Sequence, residues 1–322
     1  MADIPPCVFD LYVAPNLDAP SLAEFSLVSR NSATCVHGSS NYESTQLFLT
    51  YCHPTNVLVR ADTTGCILGS TAYTVSYDKT ELIRRTSECA KVTEFNLAYS
   101  PVNSAMLGPI VRCMPALRRL NLSGTYVSTI DEIAPCIHLT DLYLANTQVR
   151  DISVLAACTT IRELDIGSTN VESIGVVTML PTLVRLSFYD TPVTVLPALP
   201  LSLARIDMGQ TRVVDISAIG YCTRLTHLNI SCTSVQSIDP LATCTLLQEL
   251  DMRRTLVSSL HALRRSFWLH TLNADRTLIR SVKPLVSCWS LRKLFIPSTH
   301  IRARDVLSRL IARGLQIVRN PV

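Results

Sequence analysis

The chain has 322 residues, of which 48% are hydrophobic and 17% charged, and its formal net charge is +4. This composition excludes a disordered, highly charged chain, and no apolar run reaches the roughly 18–20 residues that a transmembrane helix needs. The first residues, MADIPPCVFDLYV, lack a basic stretch followed by an apolar stretch, so they predict no secretory signal. The default expectation is an intracellular, cytoplasmic protein.

Charge is distributed unevenly along the chain. Residues 251–322 carry 14 Lys and Arg against 3 Asp and Glu, a net of +11, which leaves −7 for the first 250 residues. A basic end of this kind fits an acidic partner, nucleic acid included. A solvated surface without a partner is the alternative interpretation.

Residues 1–91 are the least regular part of the sequence. The segment LAEFSL, residues 22–27, has strand spacing, and 47–66 and 72–91 keep several positions in register with the repeats that follow. We expect an N-terminal cap with degenerate repeats here, because terminal repeats cover the open end of a core. An independent N-terminal fold is the alternative.

Ten regular repeats follow over residues 92–301. The template is the stretch Leu139–Thr160, which reads L-x-x-L-x-L-x-x-T-x-V-x-x-I-x-x-L-x-x-C-x-x. The spacing is 22 residues except for 25 after the first repeat and 20 after the fifth; the repeats begin at Val92, Leu117, Leu139, Ile161, Leu183, Leu203, Leu225, Leu247, Leu269 and Leu291. A fixed period over so much of a chain predicts a solenoid.

Each repeat divides into two halves. The L-x-x-L-x-L half predicts a short strand whose alternate residues face inward and outward. The second half, about 11 residues and often with a proline, is too short for a long helix and predicts a brief 3₁₀ turn. Strands stacked in parallel at about 4.8 Å are narrower than the outer layer, so the stack is expected to curve with the strands inside.

This pattern resembles the leucine-rich repeat, in the 22-residue class found in phosphatase-regulator and internalin-like proteins. Threonine where most such families carry asparagine, together with a cysteine position, is similar to the repeats of trypanosomatid leucine-rich-repeat proteins. The 20-residue unit Leu183–Ser202, with its LPALP segment, is similar to repeats of bacterial effectors. The resemblance implies an α/β solenoid shaped as a curved horseshoe, with a parallel concave β-sheet and a short 3₁₀ or irregular convex side. It says little about function.

Two template positions predict buried contacts. The threonine hydroxyls can both donate and accept a hydrogen bond, so we expect them to be buried and bonded to backbone where each strand ends. The cysteines fall 19 residues after the first residue of a repeat, a place that also accepts Leu180 and Ser266, which indicates buried, reduced thiols. No Cys-x-x-Cys pair or zinc spacing is present, so we expect no metal.

Residues 302–322 predict a C-terminal cap. RARDVLSRLIAR reads as an amphipathic helix with Val306, Leu307, Leu310 and Ile311 on one side. Gly314 is expected to end it, and a final strand follows. We expect the apolar side to cover the core end rather than bind a membrane.

Catalytic motifs are missing from the sequence. The seven histidines are scattered, and neither a phosphate-binding loop nor a nucleophile motif is present. We therefore expect no enzyme activity and no cofactor. The remaining hypothesis is a scaffold or adaptor that binds a protein partner, either as a monomer or as a subunit of a larger assembly.

Two surfaces are candidates for binding. The outward strand positions lie second, fourth and sixth after the first residue of each repeat, and they are either ordinary polar filler or a concave binding groove; the predicted contacts there are Tyr143, Asp165, Arg185, Tyr189, Arg205, Asp207, Asp251, Arg253 and Phe295. The alternative is association with RNA or a ribonucleoprotein through a basic patch of Arg254, Arg264, Arg265, Arg276, Arg280, Arg302 and Arg304. Trp268 and Trp289 precede strands; they are core or cap residues or, if exposed, a second contact site.

Overall fold

The computed structural model describes residues 47–52, 56–61, 92–100, 102–112, 114–296 and 304–318. The chain divides into two compact units, residues 1–161 and 162–322. Each unit is described separately below.

The described residues of the first unit form two sheets. Strands β1 (Leu47–Cys52) and β2 (Asn56–Ala61) pair antiparallel. Strands β3 (Glu94–Asn96), β4 (Arg119–Asn121) and β5 (Asp141–Tyr143) pair in parallel. Both strands of this antiparallel pair lie within residues 47–66, one of the segments in which we predicted a degenerate repeat. The other segments in which we predicted degenerate repeats, around 22–27 and 72–91, lie outside the described residues.

The second unit continues the regular repeats. Its strands pair in parallel in sequence order. They are β6 (Glu163–Asp165), β7 (Arg185–Ser187), β8 (Arg205–Asp207), β9 (His227–Asn229), β10 (Glu249–Asp251), β11 (Thr271–Asn273), β12 (Lys293–Phe295) and β13 (Gln316–Val318).

The outer half of each repeat changes with its length. The 22-residue repeats form the expected 3₁₀ turns, at Asp131–Ile133, Ser153–Ala157, Gly175–Met179, Ser217–Tyr221, Asp239–Thr243, His261–Arg265 and Lys283–Ser287. The 25-residue repeat instead forms helix α1 (Ser104–Arg112), which the sequence did not predict. The 20-residue repeat has neither helix nor 3₁₀ turn across residues 188–204, all of which are described. Pro197 and Pro200 remove amide donors there.

The threonine column behaves as predicted. Each described hydroxyl is buried and donates to the carbonyl three residues earlier, at 2.6–2.8 Å; the residues are Ser100, Thr125, Thr147, Thr169, Thr191, Thr211, Thr233, Thr255 and Thr277. Each bond closes the turn after a strand, so the column is structural.

The residue before each threonine has a left-handed backbone. Gly124 has φ 70°, but eight other turns use non-glycine residues with φ between 51° and 60°: Tyr99, Asn146, Ser168, Asp190, Gln210, Cys232, Arg254 and Arg276. Non-glycine residues pay a steric cost in this region. The hydrogen bonds of the surrounding turn hold them there.

The cysteine column is also buried. Cys136, Cys158, Cys222, Cys244 and Cys288 are free thiols, each at most 3% exposed. Burial raises the pKa of Cys136 to about 11, and the charge of Cys158 adds to this shift. Burial raises the pKa of Cys222 to about 11 as well, and there the charge of Cys244 adds to it. Burial alone raises the pKa of Cys288 to about 12. A thiol in this state is a small hydrophobe rather than a nucleophile.

The C-terminal segment contains helix α2 (Arg304–Ala312), and Gly314 follows it with φ 91°. Strand β13 then pairs with β12. Leu310 is buried, whereas Ile311 is 51% exposed, so Ile311 does not share the covered side that the sequence predicted for it. No helix within the described residues is long and apolar enough to cross a bilayer.

Candidate functional site

In strands β3 to β12 a buried middle residue lies between two residues that are at least partly exposed. In β8, for example, Ile206 is 2% exposed, while Arg205 and Asp207 face solvent on either side of it. We call the outward residues at the second, fourth and sixth places of the repeats the open strand face. It corresponds to the concave face predicted from the sequence.

The fourth place is dominated by Asn and Asp, and these side chains are bonded to their own backbone. In seven repeats the Oδ1 atom accepts the N–H two residues later, at 2.9–3.3 Å; the acceptors are Asn96, Asn121, Asp165, Asp207, Asn229, Asp251 and Asn273. Such bonds shape the turn that ends each strand. The predicted contact residues Asp165, Asp207 and Asp251 therefore have a structural role.

Neighbouring repeats also link these side chains. Asn229 Nδ2 donates to Asp207 Oδ1 at 2.9 Å, and Asn273 Nδ2 donates to Asp251 Oδ2 at 3.2 Å. Burial raises the pKa of Asp207, and the charges of Asp165 and Asp251 add to this, while bonds from Gly209 and Asn229 oppose it. Burial likewise raises the pKa of Asp251.

The second place carries cross-strand ion pairs. Arg119 lies beside Asp141, with Nε 3.6 Å from Oδ2, and its Nη1 is 3.3 Å from Glu94 Oε2. In the second unit Arg185 Nη1 is 2.9 Å from Glu163 Oε1. Because the arginines are about half exposed, such pairs contribute little to stability.

Arg205 differs from these arginines. In the sheet register it lies between Arg185 and His227, and it forms no ion pair among the described residues. Burial lowers the pKa of His227, and Arg205 lowers it further. Arg205 therefore places a positive charge without a carboxylate partner among the described residues on the open strand face at β8.

Tyr189, in the sixth place, lies against a glycine of the previous repeat. A Cβ atom added at Gly167 would overlap the Tyr189 ring, so the side chain crosses the space that Gly167 leaves open. The ring is half-buried. Gly167 thus sets the position of an aromatic side chain on the open strand face.

The other predicted contacts are placed as follows. Tyr143 lies in the first unit and Phe295 in the second, both half-buried in the fourth place. Arg253 is exposed, with Nε 3.7 Å from Asp251 Oδ2.

The predicted basic patch is distributed over different parts of the repeats. Arg254 and Arg276 occupy left-handed turns after strands. Arg264 and Arg265 end a 3₁₀ turn on the outer side, and Arg280 follows the turn after β11. Arg302 lies outside the described residues, and Arg304 begins α2.

No metal site is visible in the part of the chain that the structure describes. Nowhere in it do three or more His, Cys, Asp or Glu side chains come together as an ion would require.

Comparison with solved structures identifies the architecture. The internalin InlF from Listeria monocytogenes superposes with a TM-score of 0.69 at 22% identity, over 73% of this chain and 68% of its own. A leucine-rich-repeat protein of Leptospira interrogans gives a TM-score of 0.60 at 16% identity, over 65% of this chain and 56% of its own. This chain has the leucine-rich-repeat fold.

A third solved structure also superposes on this chain. The functional domain of InlJ from Listeria monocytogenes, which includes a cysteine ladder, gives a TM-score of 0.57 at 12% identity, over 73% of this chain and 54% of its own. This chain thus spans about half the length of the Leptospira and InlJ chains. No protein-family model matches the sequence, and no curated protein matches it.

Proposed function

We propose that this chain is a non-enzymatic scaffold that binds a protein partner through the open strand face of its leucine-rich repeats. The observation that carries the proposal is that some side chains on this face are bonded to backbone while others are available to a partner. The Asn and Asp side chains of the fourth place are bonded to backbone, while Tyr189 and Arg205 project from the same rigid sheet. Tyrosine and arginine are common among residues that dominate binding energy.

The charge of the face supports a partner with acidic groups. Arg205 has no carboxylate partner among the described residues, and Arg185 flanks it in register. A carboxylate from another protein would form a charge-assisted hydrogen bond with Arg205.

Affinity purification of the full chain tests the proposal when matched variants are compared. Tyr189→Ala and Arg205→Ala are expected to lower recovery of the partner by about tenfold or more. Tyr221→Ala is the control, because Tyr221 is 72% exposed at the end of an outer 3₁₀ turn. Equal recovery with all three variants would contradict binding through the open strand face.

The same experiment distinguishes binding of a protein partner from the alternative, association with RNA. Phosphate contacts lose affinity steeply as salt rises, and an RNA-bridged complex is removed by nuclease. Capture that survives nuclease and moderate salt supports the protein partner; capture that fails under both supports RNA.

A further inference from the structure

Four large apolar side chains are exposed together in the second unit. Leu246 is 44% exposed, Phe267 49%, Trp268 57% and Trp289 63%. All four lie in the turns that precede strands β10, β11 and β12. We call these four residues the turn-edge patch; it is distinct from the open strand face.

The repeat period makes the patch contiguous. Phe267 and Trp289 occupy the same template place in consecutive repeats, and the Ser290 N–H donates to the Phe267 carbonyl at 3.2 Å. Leu246 and Trp268 occupy the next place, also in consecutive repeats. Because each pair occupies equivalent places in neighbouring repeats, the four side chains form two staggered rows of two along the turns. Clustered exposure of this kind is typical of interaction sites.

Two arginines hold the position of Trp289. The Arg313 guanidinium carbon lies 4.1 Å from the centre of the Trp289 ring, and Arg313 Nη1 donates to the Val286 carbonyl at 2.8 Å. Arg292 Nη1 donates to the Trp289 carbonyl at 3.3 Å. A cation over a tryptophan ring is attractive, so the Arg313 contact favours the observed position of the Trp289 ring.

The chain around Phe267, Trp268 and Trp289 is basic. Residues 252–304 contain 11 Lys and Arg but a single carboxylate, Asp275. Asp275 lies beyond the opposite end of β11, with Oδ2 3.9 Å from Arg276 Nε. Arg265, Arg292 and Arg313 are exposed, and none forms an ion pair among the described residues. The patch therefore combines apolar surface with unpaired positive charge.

We propose that the turn-edge patch binds an acidic protein segment in which Asp or Glu flanks a large apolar side chain. The apolar side chain covers Phe267 and Trp268, and the carboxylates pair with the surrounding arginines. This inference rests on the proposed function in assuming a protein partner, but it uses a different surface. A protein segment fits better than RNA because Arg313 already covers one face of Trp289, which removes a stacking surface for a base.

The test uses a random peptide library displayed on phage and selected against the full chain. Peptides rich in Asp or Glu together with Trp, Phe or Leu are expected. Binding of selected peptides that lack tryptophan is then measured by tryptophan fluorescence, which reports on this patch because Trp268 and Trp289 are the only two tryptophans in the chain.

Trp268→Ala and Arg292→Ala are expected to weaken these peptides by about tenfold or more. Tyr221→Ala is the folded control, and replacing the acidic peptide residues with amides should weaken binding by a similar factor. Library peptides without acidic enrichment, or binding unchanged by Trp268→Ala, would overturn the proposal. Fluorescence changes given instead by an oligouridine, or by vesicles of anionic phospholipid, would overturn it in favour of RNA or a membrane.

The two proposals fail separately. If Tyr189→Ala abolishes partner capture while the selected peptides ignore the patch, the open strand face stands and the patch is excluded. If the opposite holds, the acidic segment is recognised at the turns and the strand face is excluded.

Discussion

The open strand face and the turn-edge patch of the second unit use their side chains in opposite ways. On the strand face, Asp207 and Asn229 bond to backbone and to each other. On the turn edge, Phe267 and Trp268 are exposed and the nearby arginines have no carboxylate partners among the described residues. A polar ladder can therefore be mainly structural, while side chains outside the sheet remain free for a partner.

The largest expected effect comes from replacing a buried and an exposed phenylalanine by alanine and comparing the losses in the free energy of unfolding. Phe188→Ala removes a ring that is 0% exposed, and we expect a loss of about 3–5 kcal/mol in the free energy of unfolding. Phe267→Ala removes a ring that is 49% exposed and should stay within about 0.5 kcal/mol. Urea denaturation measures both. Similar losses would show that Phe267 belongs to the core and not to a binding surface.

The next effect tests the structural role of the strand-face carboxylates. Asp207→Ala leaves the Gly209 N–H and the Asn229 amide without their acceptor, and should cost about 1–3 kcal/mol. Asp207→Asn keeps an acceptor and removes repulsion from Asp165 and Asp251, so it should be neutral or stabilising at neutral pH.

The pH dependence of Asp207→Asn supplies the control. Because burial raises the folded pKa of Asp207, protonation relieves the native state, and stability gained below the unfolded pKa is lost as pH rises through the folded pKa. The advantage of Asp207→Asn over the natural chain should therefore shrink as pH falls. An advantage that grows at low pH would contradict this sign.

A smaller effect tests the threonine column. Thr211→Val keeps the shape but removes the hydroxyl that donates to the Met208 carbonyl at 2.7 Å, so we expect a loss of about 1 kcal/mol. Thr223 is exposed, and Thr223→Val is the matched control with little expected effect. Equal stability of the two variants would indicate that the hydroxyl bonds of the threonine column do not stabilise the fold.

The smallest expected effect is on the pH dependence of stability, and it comes from the buried thiols of the cysteine column. Burial raises the folded pKa of Cys288 from 9.0 to about 12. The neutral thiol is therefore favoured in the folded state, and its contribution is full below pH 9.0 and lost as pH rises toward 12. Cys288→Ala should lessen the fall of the urea midpoint in mildly alkaline buffer. If the urea midpoint of Cys288→Ala falls with rising pH as steeply as that of the natural chain, the burial of the Cys288 thiol would be contradicted.

Much of the fold follows from the sequence because the repeat is a local pattern with a fixed period. The strands, the 3₁₀ turns and the hydroxyl bonds of Thr125 and its equivalents were all predictable. Helix α1 was not, because Gly108 and Pro109 lie inside it and both residues disfavour the interior of a helix. Nor were the left-handed turns, because Tyr99, Gln210 and Arg254 share no composition that marks them.

The candidate site was harder to predict from the sequence than the fold. The sequence located Asp165, Asp207 and Asp251 on the strand face but left open whether they bind a partner or serve the fold, which depends on backbone two residues away. It placed Trp268 and Trp289 before strands without fixing their exposure. Exposure is a property of neighbouring coils, and only the assembled stack determines it.

The most direct measurement is hydroxyl-radical footprinting of the complex with the captured partner, read at individual side chains. The account predicts protection of Tyr189 on the open strand face, with Trp268 protected when the partner carries an acidic segment. Tyr221 and Met179, exposed at the ends of outer 3₁₀ turns, should be unchanged. Protection of Tyr221 and Met179 with unaltered Tyr189 would contradict binding through the open strand face.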